Sequence, residues 1–310
     1  TNTASNPSDN VGYTAAQRSV GDLLAAVPML AGRPIEAEQV AQLDSKDMDF
    51  AVWQQLAARV QTLLADADVQ GIVITHGTDT LEETAYFLHA LLDPAKAVVL
   101  TCAMRPASSA APDGPQNVLD AVAVATAPGA RGVVAVCAGT IHSAVDVQKM
   151  HTYRVDAFGS GDAGPIGYVE EGVVRLVRNW PSVPVSYTPE AIEKIVNLAV
   201  WPWVEIVMNY TGARGAIVKA LMNQPQNSSA SGDEPVLKGL VVAATGNGTV
   251  HQDLEKALLE AKHSGVAVVR ATRCPMGRVI SPPDARFPDS GGLSPVKARI
   301  ALMLTLAVHS

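Results

Sequence analysis

Residues 71–88 read GIVITHGTDTLEETAYFL. The run from Gly71 to Thr75 is apolar and β-branched, the composition of a strand buried on both faces. Five small or polar residues follow, His76 to Thr80, and a helical pattern then starts at once. Strand, tight turn and helix make the repeating unit of a parallel α/β sheet, in which ligands sit just beyond the carboxyl ends of the strands. A helix beginning there offers unpaired N–H groups and positive potential. Thr80 and Glu83 have the spacing of a capping box, and Asp79 could serve as an N-cap. Neither role accounts for His76, Thr78, Asp79 and Thr80 together, which makes this turn a candidate site. His76 itself reads as a structural histidine packed at the strand end.

The same alternation extends in both directions. AVVLTCA (97–103) and GVVAVCA (132–138) are further buried strands, and residues 15–30 and 52–65 carry apolar positions at helical spacing. An early strand is expected at 35–41, and a hairpin at 166–177 turning at Glu170-Glu171-Gly172. Pro181, Pro184, Pro189 and Pro202 punctuate residues 181–202, which read as a linker. The expected division is an N-terminal domain at 1–180, that linker, and a smaller α/β domain at 203–310. The second domain should hold strands at 204–209, 239–246 and 266–272, helices at 253–265 and 296–307, and an exposed loop at 224–235.

Bulk properties narrow the partners. The chain of 310 residues is 48% hydrophobic and 17% charged, enough to bury sizeable cores, and its formal net charge is −7. Phosphate binding needs a surplus of Lys and Arg, so nucleic acid is not the expected partner. No uninterrupted apolar stretch approaches the roughly 20 residues of a membrane helix, so no membrane partner is expected either. Cys102, Cys137 and Cys274 match neither a zinc site nor a CxxC motif and read as small buried hydrophobes. No metal or cofactor is expected.

Several other strand ends carry chemistry. Strand 97–103 opens into a long loop with Asp113-Gly114-Pro115, strand 132–138 leads to Lys149, and Ser45, Lys46 and Asp47 lie in LDSKDM. The second domain presents Asn247 between two glycines. A lysine whose pKa is lowered by its surroundings can deprotonate a threonine while a carboxylate orients the ammonium.

HGTDTLEETAYFL resembles the second signature of the bacterial-type L-asparaginases. The resemblance continues in order through GYTAAQRSVGDLL, LDSKDM, AMRP with DGPQN, VDVQK, GNGT, TR and SPVKAR. It implies an amidohydrolase that converts L-asparagine, and often L-glutamine, to the acid and ammonia through a threonine acyl-enzyme. It also implies a homotetramer built from two intimate dimers. Thr78, Asp79 and Lys149 match the family's Thr–Asp–Lys set. Ser45 matches the residue that binds the substrate α-carboxylate, with Lys46 beside it and Thr78-Asp79 also on substrate. Ala103 matches a backbone contact near the amide, Tyr13 the tyrosine of a mobile lid, and Asn247 a residue reaching the neighbouring subunit's site.

The sequence also departs from the pattern. A strand ending in Thr-Gly-Gly-Thr-Ile, which supplies the family's primary nucleophilic threonine, is absent from these residues. We expect it to precede Thr1 in the full-length protein, which leaves a leader, and hence a cytoplasmic or periplasmic location, open. Thr1 as an N-terminal nucleophile is disfavoured, because the polar residues after it do not read as a buried strand. Lys46 stands where relatives usually carry Gln or Glu. Near the family's acidic α-amino contact the chain holds Ala285 or Arg286, with Asp284 the nearest carboxylate. The alternatives are a glutaminase-asparaginase, a tRNA-amidotransferase-type amidase, and a catalytically silent amino-acid-binding relative.

Overall fold

The computed structural model describes residues 19–182, 187–224 and 236–309, together with the backbone of 3–4 and 13–14. The chain divides into two compact units, Thr1–Tyr187 and Thr188–Ser310.

The first unit opens with β1 (Thr3–Ala4) paired antiparallel to β2 (Tyr13–Thr14), then α1 (Val20–Ala25). The expected strand at 35–41 is not formed. That segment is mostly exposed and has no partner strand, and its Glu38 is tied to Arg59 at 2.6 Å. Arg59 belongs to α2 (Phe50–Ala65), which starts where Asp49 accepts the Val52 N–H and buries Trp53, Leu56, Ala57 and Val60 at helical spacing.

The core then alternates β3 (Gly71–Thr75), α3 (Leu81–Leu92), β4 (Ala97–Thr101), α4 (Gly114–Ala125) and β5 (Gly132–Cys137). The three strands are parallel and in register. Every residue of β4 and β5 is buried, as their unbroken apolar composition requires. On one face Ala121, Val124 and Ala125 of α4 pack against Ala97, Val99, Val134 and Val136. Trp53 of α2 stacks on Phe87 of α3 at 4.8 Å between ring centres.

Beyond β5 the sheet changes character. β6 (Thr140–Ser143) follows after only Ala138-Gly139, both with positive φ, so the chain reverses instead of crossing over. After β7 (Gln148–Lys149) and β8 (Phe158–Gly159), a separate two-strand ribbon, come β9 (Gly167–Glu170) and β10 (Val173–Leu176). The six-stranded sheet runs β10-β9-β6-β5-β4-β3, parallel in one half and antiparallel in the other. The expected hairpin is β9–β10, turning at Glu171-Gly172, where both φ angles are positive.

In the second unit α5 (Pro189–Val196) lies inside the stretch that reads as a linker; it is capped by Thr188 and buries Ile192 and Ile195. Then come β11 (Trp203–Met208), α6 (Ala216–Met222), β12 (Leu237–Ala244), α7 (Gln252–His263), β13 (Ala267–Thr272) and α8 (Pro295–His309). The sheet is parallel, ordered β11-β12-β13. α6 and α7 pack on the Leu240 and Val242 face. α8 comes so close on the other face that a Cβ on Gly239 would lie 2.8 Å from Leu302. Of the loop expected at 224–235, only Gln224 is within the described residues, and it is exposed. No helix among the described residues is long and apolar enough to cross a membrane.

Candidate active site

The turn after β3 is built by close approach. The His76 N–H donates to Thr101 O at 2.8 Å, extending the ladder with β4 by one step. Gly77 comes next, and a Cβ there would stand 2.4 Å from Ser45 Oγ and 2.7 Å from Ser45 Cβ. Only a residue without a side chain lets Ser45 lie this close. Ser45 is buried at the start of a turn of 3₁₀ helix, Ser45–Asp47. Its Oγ accepts the Asp79 N–H at 3.2 Å, and its carbonyl accepts the Thr80 hydroxyl at 2.7 Å. The capping box expected from Thr80 and Glu83 is not made: Thr80 occupies the N-cap position of α3, but its side chain accepts no cap bond and its hydroxyl points to the Ser45 carbonyl.

Thr78 and Asp79 meet Lys149 of β7. Lys149 Nζ donates to Thr78 Oγ1 at 2.8 Å and to Asp79 Oδ1 at 2.5 Å. The lysine side chain is 19% exposed and that of Asp79 53%, so the lysine is mostly covered while the carboxylate stays in water. Its backbone is fixed from the same helix that starts at the turn: the Lys149 N–H donates to Glu82 Oε2 at 2.7 Å. Thr78, Asp79 and Lys149, about 70 positions apart in the chain, thus share one hydrogen-bonded cluster.

Behind the turn a second chain of bonds holds His76. Trp53 Nε1 donates to Thr84 Oγ1 at 2.9 Å, and that hydroxyl lies 2.9 Å from His76 Nε2. His76 Nδ1 is 2.7 Å from the Gly77 carbonyl, which can only accept, so the proton sits on Nδ1. Burial lowers the His76 pKa from its ordinary 6.5, the bond to the Gly77 carbonyl opposing it, so the ring is neutral and Nε2 accepts from Thr84. This fits the structural reading of His76, which orients the peptide leading into Thr78.

At the end of β4, Ala103 heads a loop held from within. Asp113 accepts the N–H groups of Met104 and Arg105, both at 2.9 Å. Asn117 donates to Cys102 O at 2.8 Å and accepts the Ala138 N–H at 3.0 Å, tying the ends of β4 and β5 together. Asn117 and Asp113 fix the backbone on either side of Ala103.

Lys46 is exposed and pairs with Asp47 at 2.7 Å and Asp44 at 3.2 Å; the bonds to Asp47 and then Asp44 raise its pKa. Tyr13 has its backbone in β2, and its side chain, like most of the expected lid at 1–12, lies outside the described residues. Asn247 belongs to the second unit. Its Oδ1 accepts the Ile280 N–H at 2.7 Å and its Nδ2 donates to Ile280 O at 3.1 Å, using one of two amide N–H groups. Asp284 is exposed, and Arg286 is committed to Glu255 at 3.1 Å.

Glu82, Asn117 and Trp53 are the residues the sequence did not single out. Glu82 reads as an ordinary acidic residue in the first turn of a helix. Its bond to Lys149 spans 67 positions and leaves no local trace.

Comparison with known proteins bears on this geometry. The family model described as "Asparaginase, N-terminal" matches residues 3–182, and "Glutaminase/Asparaginase C-terminal domain" matches 203–310. The chain is 38% identical over 305 residues to L-asparaginase 2 of Escherichia coli, covering 95% of this chain and 82% of that protein. It is 35% identical over 304 residues to the glutaminase-asparaginase of Pseudomonas fluorescens, covering 95% and 80%. The crystal structure of the probable cytoplasmic L-asparaginase from Campylobacter jejuni superposes with a TM-score of 0.87 at 34% identity, over 98% of this chain and 91% of that one.

Proposed function

The chain belongs to the bacterial-type asparaginase family, and on that premise we propose that it hydrolyses the side-chain amide of L-asparagine to L-aspartate and ammonia. The observation that carries the proposal is the contact of Lys149 Nζ with both Thr78 Oγ1 and Asp79 Oδ1. In this reading Lys149 takes the Thr78 proton, and Asp79 holds the lysine in place. A threonine oxygen adds to the amide carbon, ammonia leaves, and water cleaves the ester. Ala103 supplies a backbone contact near the substrate amide, and backbone donors stabilise the developing oxyanion. Ser45, whose Oγ accepts from Asp79, keeps its own hydroxyl proton to donate to the substrate α-carboxylate. Tyr13 belongs to the closing lid, and Asn247 serves a neighbouring subunit's site in a homotetramer.

L-Glutamine is the second substrate in this reading, favoured by the likeness to a relative named glutaminase-asparaginase. The test is direct. Purified full-length protein is mixed with each amide, and ammonia and the amino-acid product are measured. A binding protein without activity releases neither.

A further inference from the structure

Two thiols meet beneath the end of the β4 strand. Cys102 and Cys137 lie one step beyond the paired residues Thr101 and Val136 of β4 and β5, and their sulfurs are 3.3 Å apart. Both side chains are buried. Among the described residues no group of three or more His, Cys, Asp or Glu could hold a metal, so the pair lacks the further ligands a metal centre would need. The chemistry left to it is with itself.

The backbone is already suited to a bond. Neighbouring strands run about 4.8 Å apart, inside the roughly 4.4–6.8 Å between Cα atoms that a disulfide spans. Asn117 holds that separation from both sides, bonding Cys102 O and the Ala138 N–H. Closing the sulfurs from 3.3 Å to about 2.05 Å therefore asks for side-chain rotation and a small inward shift of the two strand ends, the one before Ala103 among them. The same pair adjoins the site: Cys102 precedes Ala103, and the charges of Asp113 and Lys149 both act on its thiol.

We propose that Cys102 and Cys137 form an intrachain disulfide on two-electron oxidation, and that this lowers turnover by drawing on the strand end that carries Ala103. With a low-molecular-weight disulfide as oxidant, one thiolate attacks the oxidant's S–S bond and expels a thiol. The second then attacks the mixed disulfide and expels the other, so two electrons and two protons leave with two thiols. The bond to Cys137 and burial raise the Cys102 pKa, and Asp113 raises it further while Lys149 opposes, so thiolate is scarce and the reaction is slow.

The turnover half rests on the proposed function; the bond itself does not. The test uses a Cys274→Ser protein, which removes the exposed third thiol. It is incubated with diamide or oxidised glutathione, denatured, alkylated and weighed intact, with ammonia release from asparagine followed in parallel. The expected result is a fall in alkylated thiols from two to none, with no added glutathione, a cross-linked Cys102–Cys137 peptide, and turnover that drops and returns with dithiothreitol. Cys102→Ser in the same background should keep its turnover through the oxidation step, and Cys137→Ala substitutes if that variant does not fold. Two thiols still titrating, or one glutathione on each, would overturn the bond. A disulfide formed with turnover unchanged would overturn its link to the site. Protein that shows no ammonia release before oxidation would count against the proposed function, while the thiol count would still decide the bond.

Discussion

Two turns of this protein follow a parallel strand, lead into a helix and are built from the same small polar residues, yet they come to opposite ends. HGTDT after β3 directs Thr78 and Asp79 outward to Lys149. In TGNGT after β12 the two threonines bond each other. Thr245 and Thr249 exchange backbone bonds, Thr245 Oγ1 donates to Thr249 O at 2.9 Å, and Thr249 Oγ1 donates to Thr245 O at 3.0 Å. Asn209 braces the loop by donating to Thr245 Oγ1 at 2.9 Å and accepting the His251 N–H at 2.9 Å, and Thr272 donates to Gly246 O at 2.8 Å. Hydroxyls at a strand end are therefore not a site in themselves. What separates the threonines of the two turns is a cation: Lys149 brings a charge to Thr78, whereas the hydroxyls of Thr245 and Thr249 are spent within their own loop.

That contrast can be tested at both ends. Lys149→Met should have the largest effect, a loss of several orders of magnitude in kcat, on the order of 4–6 kcal/mol, with aspartate binding much less changed. Lys149→Arg should not rescue, since a guanidinium stays protonated. More than about a tenth of the wild-type kcat in the methionine variant, a loss below roughly 1.4 kcal/mol, would return Lys149 to the role of a surface lysine.

Asn209→Ala tests the other turn. It leaves the half-buried His251 N–H without its acceptor and removes the brace on Thr245, at a cost of about 1–3 kcal/mol in folding stability. Denaturant melts should show that loss while kcat for asparagine holds. A fall in kcat with stability intact would make the second turn functional and dissolve the contrast. Gly77→Ala should act between the two: its methyl cannot share space with Ser45, so overpacking costs about 1–3 kcal/mol, and KM should rise more than kcat falls.

The smallest effect concerns pH. The His76 pKa is lowered by burial, so below 6.5 the unfolded chain binds a proton that the folded chain resists. The stability present above that value should therefore decline as pH falls toward the folded-state pKa. His76→Asn should flatten this part of the stability profile relative to wild type; identical slopes would remove His76 from the account.

Much of this was legible in the chain. Runs such as Val98–Leu100 and Val133–Val136 are apolar at every position because both faces of those strands are covered, and their lengths and flanks placed them well. The helices α2, α7 and α8 declared themselves by spacing. The misses have a common cause. Residues 35–41 have strand-like alternation but no partner strand, β6 is short and polar, and α5 hides among prolines that in fact begin it. Each depends on what lies opposite.

The sequence by itself supplied the candidates: the strand-to-helix turn offered Thr78 and Asp79 from local character, and the family resemblance added Ser45 and Lys149. Only the tertiary structure decided their partners. Thr80 gives its hydroxyl to Ser45 and not to its own helix, Glu82 grips the backbone of Lys149, and Asn117 joins two strand ends. The reason is physical. Periodicity reports which face of an element is buried, a property of neighbouring residues, whereas a hydrogen bond between positions 78 and 149 forms only after the sheet has brought two distant loops to one edge.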